Sequence, residues 1–122
     1  MSGSLTPEMV VQRQLDAYNA HDLRALLAIY DENAQLFEHP STLLASGTDA
    51  LRERYEARFK ELNPHAKLVN RVVMGNTVID HEPVTRTFSE GPGILEMIMI
   101  YEVQDERIIR AWSIIGEKTL DR

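Results

Sequence analysis

The hydrophobic pattern of the chain changes its period once, at Pro64, and this change limits the folds that are available. Before Pro64, apolar side chains mostly recur at the spacing of one face of an α-helix. After Pro64 they alternate with polar side chains, as in β-strands that bury one face. Helices followed by strands predict an α+β domain rather than a βαβ arrangement.

Local signals predict three helices in the first half of the chain. Thr6-Pro7 supplies a hydroxyl cap and a proline at the first position of a helix that ends near Asn19. Asp22 can cap a second, shorter helix. A third helix begins near Thr48, and Asn63-Pro64 ends it, because the residue before a proline avoids helical geometry.

Four long strands and one short strand are predicted. They cover residues 34–39, 67–74, 77–88, 94–103 and 107–115. Residues 41–47 are predicted as a loop, Gly75-Asn76 and Ser89-Glu90-Gly91-Pro92-Gly93 as turns, and the tail from Glu117 as polar. The predicted fold class is α+β, a cone-shaped half-barrel in which three N-terminal helices pack on a strongly curved mixed or antiparallel sheet. Such a cone is open at one end, so a pocket is expected there.

Length, charge and cysteine content exclude several classes of protein. The chain has 122 residues and no cysteine, which predicts one domain over residues 1–122 without a disulfide framework, zinc ribbon or thiolate nucleophile. The net charge of −6 has the wrong sign for a nucleic-acid track. No apolar run approaches the roughly 20 residues of a membrane span, and no signal peptide opens the chain. We therefore expect a cytoplasmic protein without nucleic-acid or membrane partners.

Several segments match one superfamily in order and spacing. They are Tyr18-Asn19-Ala20-His21-Asp22-Leu23, Tyr30, Asn33-Ala34, Phe37-Glu38-His39-Pro40, Gly47-Thr48-Asp49-Ala50-Leu51, and Ile100-Tyr101-Glu102-Val103 through Arg107-Ile108. The chain resembles the nuclear transport factor 2-like superfamily, which includes SnoaL-like polyketide cyclases, ketosteroid isomerases and limonene epoxide hydrolase. The resemblance spans roughly residues 7–115. It implies the fold, whereas the scaffold hosts many activities and many simple binders.

The residues of the well-described family activities are not retained. By the resemblance, the carboxylate base of the isomerases falls on His39, their oxyanion tyrosine on Gln14 and their protonated aspartate on Met99. Glu38 would match the base only if the strand slips by one residue, and Tyr18 lies one helical turn beyond Gln14. The arginine and aspartate of the hydrolase fall on Glu82 and Val84. The resemblance therefore implies no established chemistry for this chain.

Asp80 and Glu82 carry the strongest functional signal. Strand alternation, with the resemblance, places both on the face that looks into the cone. Two nearby carboxylates in an apolar wall raise the pKa of at least one of them, which yields a base near neutral pH for a proton α to a carbonyl. The alternative is that Asp80 lies near the strand end in water and that Glu82 pairs with Arg86 or Arg71.

His39 and Tyr18 are the other candidate catalytic residues. His39, at the mouth of the first strand, can act as an acid or base, or it can simply anchor a loop. The hydroxyl of Tyr18 can donate to a developing oxyanion. Alternation turns His81 away from Asp80 and Glu82, so no metal site is expected there. The chemistry that we expect needs no cofactor.

Further side chains are candidates for lining the pocket or for filling the core. Aromatic rings and thioethers can contact an apolar ligand, and Arg86 can hold a carboxylate ligand or neutralise Glu82. The candidate ligand-binding residues are Tyr30, Phe37, Tyr55, Phe59, Arg86, Met97, Met99, Tyr101 and Ser113. We expect the ligand to be a small apolar or carbonyl-containing molecule.

Outward positions of the predicted sheet form an apolar patch. It consists of His81, Ile98, Ile100, Ile108, Trp112 and Ile114. A patch of this size is unusual on a monomer, and two sheets docked face to face would cover it. The pattern therefore predicts a homodimer through the sheet face.

Three functions stay open at this point. The first is cofactor-free acid–base chemistry of the isomerase, cyclase or hydrolase type, with Asp80 or Glu82 as the base. The second is a non-catalytic protein that binds a small ligand and has no pH-dependent step. The third is a module that binds a partner protein through its sheet face.

Overall fold

Three helices and eight strands make up the part of the protein that is described. In a computed structural model, which describes residues 4–121, the helices are α1 (Pro7–Asn19), α2 (Leu23–Ile29) and α3 (Thr48–Leu62). The strands are β1 (Tyr30–Glu38), β2 (Thr42–Ser46), β3 (His65–Ala66), β4 (Asn70–Met74), β5 (Thr77–His81), β6 (Val84–Phe88), β7 (Gly91–Gln104) and β8 (Arg107–Leu120). The predicted α+β class, with three helices on a curved mixed sheet, is confirmed.

The helix ends follow the signals in the sequence. The Thr6 hydroxyl accepts a hydrogen bond from the backbone N–H of Met9 at 3.2 Å and caps α1. The Asp22 carboxylate accepts from the N–H of Ala25 at 3.1 Å and caps α2. Helix α3 ends where Asn63 adopts the left-handed conformation, with φ of 45°. Within residues 4–121, no helix is both long enough and apolar enough to cross a membrane.

All the strands join one sheet, and it curves around α1 and α3. The main path runs β2-β1-β8-β7-β5-β4, with β6 beside β7 and β3 beside β6. Among the described strands, β1 and β8 run parallel and the other pairs are antiparallel. Helix α1 contacts β5, β7 and β8, whereas α3 contacts β1, β2 and β6. The two helices therefore cover the concave face, and a space is left between them and the sheet.

Two predicted segments, 41–47 and 77–88, differ from the strands that the structure contains. The predicted loop 41–47 contains β2, an edge strand that pairs with β1 and whose run Leu43-Leu44-Ala45 does not alternate between apolar and polar residues. The predicted strand 77–88 is interrupted at Glu82 and Pro83, because proline has no N–H to donate to the ladder. The register with β7 is the same on both sides of this break, so the two halves remain collinear.

Three other predicted boundaries differ from the structure, and pairing between β7 and its neighbours explains two of them. The predicted turn is confirmed at Ser89-Glu90, but it is wrong at Gly91-Pro92-Gly93, since these residues begin β7 and lie between β6 and β8. The predicted strand 67–74 is shorter in the structure, where β4 covers Asn70–Met74 and the separate strand β3 precedes it at His65–Ala66. The predicted polar tail from Glu117 continues β8 to Leu120, because it pairs with the first residues of β7. For the start of β7 and the end of β8, pairing between these two strands decides the local structure.

A β-bulge changes the expected faces of β8. Val103 pairs with Ile108 whereas Glu102 pairs with Arg110, so Ile109 is an extra residue in β8. Strict alternation along the predicted strand 107–115 turns Ile109 inward and Ile108 outward, but Ile108 is the buried residue, at 0% exposure. Ile108 therefore does not belong to the outward apolar patch.

The outer patch, as the structure has it, is formed by His81, Ile98, Ile100, Trp112 and Ile114. Ile114 is 36% exposed, and the neighbouring Ile79 is exposed to the same extent. The ring of Trp112 stacks on Phe37 with a centroid distance of 5.7 Å. Much of this face is therefore apolar, and the homodimer stays a prediction.

Candidate functional site

A cavity lies between α1, α3 and the concave face of the sheet. It has a volume of about 700 Å³, which includes the mouth that opens to solvent. Apolar side chains form most of the wall, among them Leu15, Leu36, Leu44, Met97 and Met99. The rest of the wall is polar and combines one carboxyl group, several hydroxyl groups and three guanidinium groups.

Glu82 provides the carboxyl group of this wall. It lies between β5 and β6 and is only 4% exposed. Its backbone N–H donates to the carbonyl of Met97 at 2.9 Å, which fixes the residue on β7 with its side chain inward. Its Oε1 accepts from the Tyr101 hydroxyl at 3.4 Å, whereas its Oε2 is buried without a hydrogen-bond partner in residues 4–121.

The environment of Glu82 raises its pKa to about 8. Burial is the main cause, because it penalises the charged form, and the negative charge of Asp80 acts in the same direction. The Tyr101 hydrogen bond and the positive charge of Arg71 oppose the shift and are weaker. At neutral pH the carboxyl group is mostly protonated, yet it is close enough to its pKa to exchange a proton.

Asp80 does not border the cavity, because it forms a buried ion pair with Arg71. The Nε of Arg71 donates to Asp80 Oδ1 at 2.7 Å, and Nη2 donates to Oδ2 at 2.9 Å. The remaining Nη1 of Arg71 donates to Gln12 Oε1 at 2.9 Å. Asp80 therefore does not lie in water, and Arg71 pairs with Asp80 rather than with Glu82. Asp80 acts on the cavity only through its charge.

A chain of hydrogen bonds leads from Glu82 towards α3. The Tyr101 hydroxyl lies 3.1 Å from Gln14 Oε1, and Gln14 Nε2 donates to the Tyr30 hydroxyl at 3.3 Å. The hydroxyl groups of Tyr30 and Tyr55 are 2.8 Å apart. Burial raises the pKa of Tyr55 to about 12 and those of Tyr30 and Tyr101 well above the ordinary value. We call Tyr101, Gln14, Tyr30 and Tyr55 the hydroxyl chain; all its phenols are neutral at physiological pH.

Three arginines that border the cavity form what we call the arginine cluster: Arg54, Arg58 and Arg86. Within residues 4–121, none of the three forms a salt bridge. The Nε of Arg86 is buried, and no described residue accepts its hydrogen. Burial lowers the pKa of Arg86, and the charge of Arg58 lowers it further. Burial also lowers the pKa of Arg54, and the charges of Arg58 and Arg86 lower it further.

Tyr18 adds a hydroxyl group beside this cluster. Burial raises its pKa, and the Arg86 guanidinium next to it opposes that shift. Its ring makes edge contacts with Tyr55, at a centroid distance of 6.2 Å, and with Phe59, at 5.6 Å. Tyr18 is thus a neutral hydrogen-bond donor in the wall of the cavity.

Most of the residues that the sequence predicts for the site do border the cavity. They are Tyr18, Phe37, Tyr55, Glu82, Arg86, Met97, Met99, Tyr101 and Ser113. Phe37 borders the cavity, but its ring stacks on Trp112 of the outer patch. Tyr30 lies one hydrogen bond behind Tyr55, and Phe59 packs on Tyr18 and on the ring of His21. These last two support the wall without forming it.

His39 lies outside the cavity. The residue is exposed and follows the end of β1. Its backbone N–H donates to the carbonyl of Ser113 at 2.8 Å, so the main chain makes the contact and the imidazole does not. The structure therefore places His39 as a loop anchor and does not bring its ring to Glu82.

Arg54 and Arg58 are cavity residues that the sequence reasoning missed. They lie one turn apart on α3, at the same helical spacing as the buried Leu51 and Tyr55. This spacing is the signal that could have found them, because it places them on the inward stripe of the helix. Among the described residues, no group of three or more His, Asp or Glu side chains is arranged to hold a metal ion.

Comparison with known proteins relates this geometry to a family. The profile of the SnoaL-like domain matches residues 11–111. No curated protein sequence matches the chain. Among solved structures, an uncharacterised cystatin-fold protein from Novosphingobium aromaticivorans is 18% identical with a TM-score of 0.79, and the match covers 90% of this chain and 98% of the other.

Two further structures have descriptions that name an activity. A protein from Sinorhizobium meliloti, proposed to be a polyketide cyclase, is 22% identical with a TM-score of 0.73, and the match covers 85% of this chain and 92% of the other. An LEH-like epoxide hydrolase from M. tuberculosis is 13% identical with a TM-score of 0.77, and the match covers 88% of this chain and 80% of the other. At these identities the likeness shows the fold alone.

The family match extends from α1 into β8 and so includes every element that borders the cavity. The cone-shaped α+β fold and the shared topology of the solved structures agree with it. The predicted resemblance is thereby confirmed, and the chain belongs to the family of SnoaL-like domains within the nuclear transport factor 2-like superfamily.

Proposed function

We propose that this protein is a cofactor-independent enzyme in which Glu82 moves a proton on a small carbonyl compound bound in the cavity. The observation that carries the proposal is the buried carboxyl group of Glu82, whose Oε2 lacks a hydrogen-bond partner in residues 4–121. Both carboxyl groups expected to face the cone are buried, but Glu82 alone borders the cavity.

The contrast between Glu82 and Asp80 supports a role beyond folding. Both oxygens of Asp80 accept hydrogen bonds from Arg71, as is usual for a buried carboxylate. Leaving a buried acceptor unpaired costs about 1–3 kcal/mol of stability. Glu82 keeps such an unpaired acceptor, which is typical of a group that completes its hydrogen bonds with a ligand.

A single carboxyl group is sufficient for proton transfer at carbon. Ionised Glu82 takes a proton from the carbon α to a carbonyl, which leaves an enolate and a protonated Glu82. Tyr18 donates a hydrogen bond to the enolate oxygen, and the charge of Arg86 stabilises it further. Glu82 then returns the same proton, either to a different carbon of the enolate or to an alkoxide.

The two ways of returning the proton correspond to two reaction types. Protonation at another carbon gives an isomerisation. Attack of the enolate carbon on a second carbonyl of the same molecule forms a carbon–carbon bond and an alkoxide, which Glu82 protonates, so the result is a cyclisation. This chemistry suits the polyketide-cyclase description of the S. meliloti structure better than epoxide hydrolysis. Hydrolysis would require one group to activate water and another to protonate the epoxide.

Deuterium exchange tests the proposal without knowledge of the natural substrate. Cyclohexanone in deuterium oxide exchanges its α-protons, and NMR follows the rate. We expect the protein to accelerate the exchange, with a rate that rises through an apparent pKa of about 8. Glu82→Gln should reduce the acceleration by about a hundredfold or more, whereas Glu53→Gln, at an exposed position of α3, should retain it.

The outcomes separate an enzyme from a simple binder. Exchange that Glu82→Gln leaves unchanged would remove Glu82 from the reaction and overturn the proposal. Cyclohexanone that binds in the cavity without any accelerated exchange would identify the protein as a non-catalytic ligand-binding protein, also against the proposal.

A further inference from the structure

We infer that the arginine cluster is an anion site, which holds a carboxylate group of the ligand. The inference rests on the proposed function only where it places the carbonyl of that ligand at Glu82. The ligand would then be a carbonyl compound with an apolar body and a carboxylate, in other words an apolar keto acid.

The positions of the three arginines bring like charges together. Arg54 and Arg58 are one turn apart on α3, and Arg86 lies on β6, which α3 contacts. All three side chains border the same cavity, and the charges of Arg58 and Arg86 both lower the pKa of Arg54. Partly buried like charges repel, so their gathering is unfavourable unless an anion lies among them.

Three arginines outside the cavity have acidic partners. Arg52 pairs with Asp49, Arg71 with Asp80, and Arg110 with Glu102. The three arginines of the cluster form no salt bridge with any residue from 4 to 121. Arg13, Arg24 and Arg107 also form no salt bridge, but they are exposed and water solvates them, whereas the arginines of the cluster are half-buried. Within residues 4–121, unmatched arginine charge that is partly shielded from solvent is therefore found at the cavity.

The acidic groups near the cluster do not compensate for it. Glu38 attracts Arg54 but lies beyond salt-bridge distance. Glu82 is mostly protonated at neutral pH because its pKa is raised to about 8. The buried Nε of Arg86 has a hydrogen to donate and no described residue that accepts it. The missing acceptor would be supplied by a ligand in the cavity.

A carboxylate fits this site better than a dianion. The planar guanidinium fork matches the two oxygens of a carboxylate and donates charge-assisted hydrogen bonds to both. The neighbouring wall is apolar, through Leu15, Met97 and Met99, so the cost of removing water from the ligand is lower for a single charge than for a phosphate. The same wall accommodates the apolar body.

Calorimetric titration with benzoate, benzamide and phenyl phosphate tests the inference. Benzoate and benzamide share a ring and differ in charge. We expect the protein to bind benzoate about tenfold or more tightly than benzamide, and more tightly than phenyl phosphate. Arg58→Gln and Arg86→Gln should each weaken benzoate binding about 10- to 100-fold, or about 1.4–2.8 kcal/mol, and leave benzamide binding nearly unchanged.

Arg52→Gln is the matched control, because Arg52 lies on the same helix but faces solvent and pairs with Asp49. It removes the same charge and should leave benzoate binding nearly unchanged. A melting curve accompanies each variant, and Arg58→Gln keeps the test valid if Arg86→Gln does not fold. Loss of one repelling charge should leave the melting temperature of Arg58→Gln equal to that of the wild type or raise it.

Three results would overturn the inference. They are equal affinities for benzoate and benzamide, an equal loss of benzoate binding in Arg52→Gln, and tighter binding of phenyl phosphate than of benzoate. The Glu82→Gln variant separates this inference from the proposed function. It should still bind benzoate through the arginine cluster even though it loses α-proton exchange, so either proposal can fail without the other.

Discussion

Replacing Glu82 by glutamine should change how the stability of the protein depends on pH. In the folded protein the pKa of Glu82 is raised to about 8, whereas in the unfolded chain the ordinary value of 4.5 applies. The folded state therefore keeps a proton that the unfolded state loses. The free energy of unfolding of the wild type should fall as the pH rises from about 4.5 and level off above about 8. Glutamine does not titrate, so the variant lacks this decline.

The size of the effect follows from the two pKa values. Each pH unit between them corresponds to 1.36 kcal/mol, so the full decline from 4.5 to about 8 is about 5 kcal/mol. Between pH 5 and pH 9, a practical range, about 4 kcal/mol of it should be observed. Glu82 is 4% exposed, and solvent therefore screens the effect very little.

Urea unfolding, followed by the fluorescence of Trp112, provides the assay, since Trp112 is the single tryptophan of the chain. The difference in unfolding free energy between Glu82→Gln and the wild type should grow in favour of the variant by about 4 kcal/mol from pH 5 to pH 9. Glu53→Gln controls for the change in net charge, because it removes an exposed carboxylate. A difference that stays constant over this range would refute the raised pKa and the reasoning built on it.

Three other properties can be tested with single substitutions. Tyr101→Phe removes a hydrogen bond that lowers the pKa of Glu82, so that pKa should rise further in an NMR titration of the carboxyl carbon, and a fall would contradict the contact. In Gly93→Ala the new Cβ would lie 2.6 Å from the carbonyl oxygen of Thr119, so urea unfolding should show a loss of about 1–3 kcal/mol, and unchanged stability would contradict the close approach. Native mass spectrometry should show a homodimer that Ile100→Glu on the outer patch dissociates, and a wild-type monomer would contradict the predicted interface.

The elements that sequence predicts well are those with local signals. The cap at Thr6 and the stop at Pro64 lie within one turn of the helix ends they define. Strand β2 has no such signal because its run Leu43-Leu44-Ala45 does not alternate between apolar and polar residues. The start of β7 has none because part of its pairing is with the end of β8, far along the chain. The bulge at Ile109 is likewise invisible until the register between β7 and β8 is known.

As with the fold, the sequence predicts only those features of the candidate site that have a local signal. Alternation along one strand is sufficient to turn Glu82 inward, and the break at Pro83 does not disturb it. The role of Asp80 could not be decided in this way, because its partner Arg71 is its direct neighbour across the β4–β5 pair, which only the register defines. Arg54 was missed because arginine is usually a surface residue, although its spacing on α3 is that of the buried stripe.

The donor-to-acceptor direction of the hydrogen bonds in the hydroxyl chain depends on the charge of Glu82. Tyr101 owns one hydrogen but lies within reach of two acceptors, Gln14 Oε1 and Glu82 Oε1. While Glu82 is neutral, Gln14 can keep that hydrogen; once Glu82 is ionised, the negative charge attracts it and leaves the amide oxygen short of a donor. The Gln14 amide is connected to Tyr55 through the Tyr30 hydroxyl. Loss of the Glu82 proton can therefore reorient the hydroxyl hydrogens as far as Tyr55, at the other end of the hydroxyl chain, without movement of any heavy atom.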